Sequence, residues 1–407
     1  MVGTWTTEKL KSWVTDTTRQ VKDSGFGPLF KLQERFTDLQ GTTRARIGGE
    51  VANRALALGR QLIKAELCEV QLKDGPISYW KTSNNHPETI LFIHGFGDSK
   101  DGCYPFAMHL TRSFNMMAFD LPGFGASFKD TNLVYNFDTY AAWMEEFIEN
   151  VGVGPVHLIG NSLGGAMAMK LAQVRPDIVK TLTLIDTAAV IDDRYDSAYD
   201  DFINGKVMFQ IKSRQEFDVF WKCVFNKPPF MPIFMKDHIY EQFRSNYDLY
   251  GRFIHDIFRD IKSRVDPGLT DLFMNKALAE MKMPIHIIWG DQDRLFPLTY
   301  GQRAHEIVKD SEFTVLKDIG HAPQVEAPAA TAKHVKRFID AQNKRLVERE
   351  NQAKVKAELL GKKKAKTVLV EPVAKKKAVK VKAKTKTSTT KTKTKAVVKK
   401  AKKKSAR

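Results

Sequence analysis

Apolar residues repeat along this chain in two different ways. Between residues 66 and 186, and again between 284 and 345, short apolar runs alternate with segments of helical periodicity. Runs at residues 68–72, 77–80, 90–94, 116–120, 156–160, 182–186, 285–289 and 313–316 predict eight strands. Helical patterns over 141–150, 163–175, 300–309 and 329–341 separate most of the later ones. Such alternation predicts a largely parallel sheet covered on both faces. The first two runs, joined by Lys73-Asp74-Gly75-Pro76, read as an antiparallel hairpin leading into that sheet.

From Thr187 to Met283 the alternation stops, and the chain is rich in Phe, Met, Tyr and Trp with a break at Lys227-Pro228-Pro229. Residues 187–283 therefore read as a helical insertion after the sixth central strand. An insertion there lies above the strand C-termini, where open α/β sheets bind ligands, so it is expected to form a cap. Its aromatics are expected mainly to build a small core of their own, with some facing the site. Residues 1–65 read as a helical extension, with segments around Leu10, Trp13 and Val14, then 30–39 and 51–63, broken at Gly25-Phe26-Gly27-Pro28. Packing against the main domain is the expected role.

Charge separates the other end. Residues 351–407 hold 22 Lys or Arg against Glu358 and Glu371, about +20 of a whole-chain +18, so the first 350 residues sum to −2. From Lys362 onward the chain is Lys, Ala, Thr and Val without an aromatic residue, a composition that cannot bury enough surface to fold alone. Residues 346–407 are thus expected to be a basic, largely disordered tail, its first part (346–359) a helical extension. Clusters such as Lys375-Lys376-Lys377 suit polyanions: nucleic acid through residues 361–407, or an anionic membrane or granule surface. Missing aromatics argue against base stacking.

The remaining composition narrows the class. At 407 residues and 43% hydrophobic, the chain can hold one large domain with appendages. Cys68, Cys103 and Cys223 are odd in number and widely spaced, which implies neither a disulfide framework nor a metal site and fits a reducing compartment. No secretory signal is expected in residues 1–40 and no stretch approaches a membrane span, so a cytoplasmic location is expected.

The candidate chemistry centres on Gly160-Asn161-Ser162-Leu163-Gly164, between a strand-like and a helix-like run. A strand turning sharply into a helix needs glycines beside the turn residue and pushes the serine hydroxyl outward at a helix N-terminus. Such a string arises by chance in roughly one chain in ten of this length, so it needs company. Company is present at other strand ends: His94-Gly95-Phe96-Gly97, Asp120-Leu121-Pro122-Gly123-Phe124-Gly125, Asp291-Gln292-Asp293-Arg294-Leu295-Phe296-Pro297 and Gly320-His321-Ala322-Pro323.

In identity and order these motifs resemble the α/β-hydrolase family over roughly residues 66–345. The resemblance implies Ser162 as nucleophile, His321 as base and Asp293 as acid, with the backbone N–H groups of Phe96 and Leu163 as oxyanion hole. The family spacing Gly-x-x-Asp-x-x-x-Pro matches Gly290, Asp293 and Pro297; Asp291 lies two residues earlier, and Asp186 ends the sixth strand, where some relatives carry the acid. By the same resemblance His94 is structural, while Asp98 and Asp120 read as turn-forming carboxylates. Serine at 162 separates the chain from dehalogenases and epoxide hydrolases, which place Asp there. No metal or cofactor is implied. The expectation is hydrolysis of a carboxylic ester or thioester through an acyl-enzyme, with Phe217, Phe220, Trp221, Phe230, Met231, Phe234 and Met235 favouring an apolar acyl group. The alternatives are a carbon–carbon bond hydrolase and a non-catalytic scaffold acting through its tail.

Overall fold

A computed structural model describes residues 41–192, 208–258 and 273–368. Its sheet contains β1 (Ala65–Leu72), β2 (Gly75–Thr82), β3 (Thr89–Ile93), β4 (Asn115–Phe119), β5 (Val156–Asn161), β6 (Val179–Ile185), β7 (Ile285–Gly290) and β8 (Glu312–Leu316). Their order is β1-β2-β4-β3-β5-β6-β7-β8, antiparallel for β1–β2 and β2–β4 and parallel for all the others. All eight expected strands are present. The central ones read as continuous apolar runs because both faces are covered: every residue of β5 and β7 is buried.

On one face lie α3 (Phe137–Val151), α4 (Leu163–Val174) and α9 (Leu298–Ile307), whose Tyr140, Phe147, Met167, Leu171 and Tyr300 pack with Leu91, Leu158 and Ile287. On the other, α2 (Tyr104–Leu110) and the start of α11 (Pro328–Val368) set Phe106, Leu110, Val335 and Phe338 against Phe92, Ile159 and Ile288. Between β6 and β7 come α5 (Arg214–Val224), α6 (Ile233–Ser245), α7 (Tyr247–Phe258) and α8 (Asn275–Glu280); α10 (Pro323–Glu326) follows β8. No helix among the described residues is long and apolar enough to cross a membrane.

Three helices differ from the sequence expectation. The first, α1, is continuous over Gly41–Leu62 rather than starting at 51. Gly48 and Gly49 weaken its pattern, but they let the helix press on α6: a Cβ on Gly48 would stand 1.8 Å from the Phe234 carbonyl oxygen. This helix packs most extensively on the insert, not on the main domain as expected, with Arg44 bonded to Asp237 at 2.7 Å. The start of α3 moves to 137 because the Asn136 side chain caps it by accepting the Thr139 N–H. At the C-terminal end the two expected segments fuse into the single helix α11, which runs into the stretch from Lys362 read as unstructured. Five of residues 362–368 are Lys or Ala, both strong helix formers. The chain divides into two compact units, residues 1–347 and 348–407. The expected segments around Leu10 and 30–39, parts of the insert and the Lys-rich stretch beyond 368 lie outside the described residues.

Candidate active site

Strand β5 sits near the middle of the sheet, flanked by β3 and β6, so the loop at its C-terminal end is central. Ser162 occupies that loop at φ 55° and ψ −121°, a conformation sparsely populated by any residue with a side chain. The two flanking glycines permit it by steric need: a Cβ on Gly160 would meet the Gly164 carbonyl oxygen at 2.2 Å, and one on Gly164 the Ile93 carbonyl oxygen at 2.2 Å. The turn is held by Ser162 N–H donating to the Ile185 carbonyl of β6 at 3.0 Å. Helix α4 begins at the next residue, aiming its N-terminal dipole toward the serine.

The loop after β3 passes directly over this turn, since a Cβ on Gly95 would stand 3.2 Å from that of Ser162. Neither the Phe96 nor the Leu163 N–H has an acceptor among the described residues, leaving both amides available. Two bonds fix the loop. The His94 Nε2 accepts the Leu121 N–H at 3.0 Å while its Nδ1 meets the Gly95 carbonyl at 2.8 Å, so His94 is the structural residue expected. Asp120 does more than form a turn, which corrects the sequence reading. Completely buried, its carboxylate accepts the Lys100 N–H at 2.7 Å, the Lys100 ammonium at 2.8 Å and the Ala126 N–H at 2.8 Å, stapling the β3 loop to the β4 loop. Asp98, in the β3 loop itself, has its carboxyl pushed up to about 7, by burial first, against a lowering backbone bond from Ser99.

His321 and Asp293 are brought together: Nδ1 lies 2.7 Å from Oδ2. The other oxygen of Asp293 accepts the N–H groups of Leu295 at 2.8 Å and Phe296 at 3.0 Å. Asp291 points elsewhere and accepts the Asp318 N–H at 2.6 Å. Asn161 couples the serine turn to the histidine loop by donating to the His321 carbonyl at 3.1 Å. The Phe296 ring packs edge-on to the imidazole at 5.2 Å between centroids.

A third acidic group adjoins this pair. Oxygen atoms of Asp186 and Asp293 and a ring nitrogen of His321 lie within 4.8 Å of one another. The Asp186 carboxyl is held well above the usual carboxylate range, by burial first and by the charge of Asp293 second. Among the described residues this is the one acidic–histidine group with the spacing a metal ion would need. Its Asp293 oxygens and the His321 Nδ1 are already engaged in hydrogen bonds, an arrangement organised around a proton.

Ser162 forms part of the wall of an apolar pocket. The cavity is lined by Phe96, Phe137, Leu163 and Phe296 from the core, and by Ala188, Ala189, Phe209, Phe253, Ile254, Ile257, Phe258 and Phe273 from the segment between β6 and β7. None of the seven insert residues singled out in the sequence is among them. Phe217 and Phe220 pack with Phe243 in the insert's own core, Phe234 lies against α1, and Phe230 is exposed. The sequence signal that could have found the lining is the periodicity Phe253, Ile254, Ile257, Phe258, one face of α7.

Comparison with known proteins agrees with this fold. The sequence model of the alpha/beta hydrolase fold matches residues 88–328, more than half of the chain. Lipase 1 of Psychrobacter immobilis is 28% identical over 262 residues, 64% of this chain and 79% of that protein. Lipase 3 of Moraxella sp. (strain TA144) is 27% identical over 303 residues, 74% of this chain and 88% of that protein. The crystal structure of a membrane phospholipase A, a bacterial virulence factor, superposes with a TM-score of 0.66 at 26% identity, covering 78% of this chain and 97% of that one.

Proposed function

This chain belongs to the α/β-hydrolase family, and from that premise we propose that it is an esterase or lipase cleaving carboxylic esters of apolar acids through Ser162, His321 and Asp293. In this reading the substrate's acyl chain enters the cavity and presents its carbonyl carbon to the Ser162 hydroxyl. His321 takes the hydroxyl proton as the bond forms, Asp293 holds the imidazole tautomer and stabilises the imidazolium, and the N–H groups of Phe96 and Leu163 bind the developing oxyanion. His321 then returns the proton to the leaving alcohol. A water activated by the same imidazole releases the acid.

The observation that carries this reading is the meeting, at one serine, of a strained strand–helix turn and a cavity whose lining side chains are apolar apart from that serine. An ester with an aliphatic or aromatic acyl group leaves no buried polar group unpaired there; a charged acyl group would. A fluorophosphonate probe tests the covalent step, with labelling expected of the full chain and none of Ser162→Ala. Hydrolysis of a p-nitrophenyl ester series should rise with chain length before falling. A diketone-type substrate turned over in preference to every ester would replace this reading with carbon–carbon bond hydrolysis.

The Lys-rich segment 361–407 is proposed to tether the enzyme to a phosphate-bearing polyanion through charge alone. Retention on immobilised heparin or DNA that falls steeply with salt, and vanishes on removing residues 361–407, is the expected result. A cytoplasmic location belongs to the same proposal and rests on Cys68, Cys103 and Cys223 all being free thiols; cell fractionation checks it.

A further inference from the structure

Asp186 is the buried acidic group that the proposed mechanism does not use. It lies at the C-terminal end of β6, completely buried and at φ 41°. Its Oδ1 accepts the Gly290 N–H at 2.9 Å. Its Oδ2 is enclosed and has no donor. An ionised carboxylate there would leave half of its charge facing nothing that can bind it, in a site where desolvation is costly. The ionisable groups around it make that worse: Asp293 from the β7 loop and Glu326 from α10 are acidic, and the nearby His321 gives its Nδ1 to Asp293.

The two carboxyl groups are unequally supported. Asp293 has two amide donors and the imidazole; Asp186 has one amide. When two acidic groups share a buried site, the charge settles where the donors are and the proton where they are not. Protonation also cures the local defect, because it turns the partnerless Oδ2 into an O–H donor beside the carboxylate of Asp293.

We propose that Asp186 is a positioning residue protonated at neutral pH, a carboxylic acid whose O–H donates to Asp293 and holds it against His321. The inference rests on the proposed Ser162–His321–Asp293 triad and adds a fourth member acting through the third. A neutral donor orients the Asp293 carboxylate without placing a second negative charge beside the imidazole.

Infrared difference spectra of the full-length protein, wild type against Asp186→Asn, provide the direct test. A carboxylic-acid carbonyl band present at neutral pH in the wild type and missing in the variant is expected; its absence from the wild type overturns the proposal. Kinetics supply a second, independent arm. Asp186→Asn, which can still donate from its amide and accept from Gly290, should keep kcat within about threefold, whereas Asp186→Ala should lose about ten- to a hundredfold in kcat with KM nearly unchanged. The wild type should also lose activity at alkaline pH as Asp186 ionises, and Asp186→Asn should extend that plateau. Equal impairment of the Asn and Ala variants at matched thermal stability overturns the proposal, as does an identical alkaline limb. Fluorophosphonate labelling separates the two readings: an unlabelled wild type removes the triad itself, while a labelled wild type without the acid band removes only the role of Asp186.

Discussion

At the strand ends, three of the four side chains proposed to act in the chemistry stand within three residues of a fully or largely buried strand, Ser162 after β5, Asp293 after β7 and Asp186 after β6, while His321 follows β8 by five. Those strands are clamped on both faces, so a short turn leaves its side chain little freedom. In the insert between β6 and β7 the same apolar residue types occur without such a frame, and the helix face on which each falls decides its role. Phe217 of α5 is fully buried among Trp221, Tyr240 and Phe243, whereas Phe253 and Phe258 of α7 line the cavity beside Ser162. Chemistry placed on a rigid sheet and selection placed on helices laid over its strand ends fall on different residues, which is why one sheet serves many substrates.

The comparison breaks most directly at the serine. Ser162→Ala should abolish fluorophosphonate labelling and reduce ester turnover on the order of 10⁶-fold, with thermal stability near that of the wild type because Ala keeps the Cβ and the turn's backbone hydrogen bonds. Residual turnover near wild type would move the chemistry away from the strand ends altogether. Next in size is Asp293→Asn, expected to lower kcat on the order of 10⁴-fold by releasing the imidazole tautomer. Asp291→Asn, two residues away but bonded to Asp318 instead, should stay near wild type, and kcat measured for both variants makes the check.

Selection should respond where the insert lines the cavity. Ile257→Trp narrows the cavity and should cost about 10- to 100-fold in kcat/KM for long acyl chains while sparing acetate esters. Phe217→Ala, in the insert's own core, should instead cost about 3–5 kcal/mol of stability by leaving a cavity, with the chain-length preference of the surviving folded enzyme unchanged. A shift in preference from Phe217→Ala would mean that the two aromatic sets are not separate. Denaturant melts and the ester series read both variants.

The smallest effect is expected at Asp98. Burial raises its carboxyl to about 7 in the folded chain, against about 3.9 in an unfolded one. The folded state therefore holds an extra proton between those values, so the contribution of Asp98 to stability is complete below about 3.9 and lost as pH rises through about 7. Asp98→Asn should remove that loss, raising Tm at pH 8 by a few degrees relative to pH 5, as thermal melts at the two pH values would show.

Much of this was legible along the chain. The eight strands follow from apolar runs, and the elbow from two glycines whose neighbours leave no room for a Cβ. Other features were hidden for physical reasons. Gly48 and Gly49 lower helix propensity yet make the close contact of α1 with α6, a gain that appears only when the partner helix is present. Asp120 resembles a local turn former because its partner Lys100 is twenty residues away in sequence and joined to it across two loops.

The sequence alone determined the local conformations: strands where apolar residues run together, a sharp turn at Ser162, and the order in which serine, acid and histidine loops occur. Those follow from sterics and hydrophobic burial among near neighbours. The tertiary structure decided which carboxyl reaches His321, which aromatics face the serine, and that Asp186 lies enclosed beside Asp293. These depend on strand order and helix rotation, which bring together residues a hundred positions apart, and burial then sets the electrostatic outcome. Near-neighbour rules carry no information about such distances.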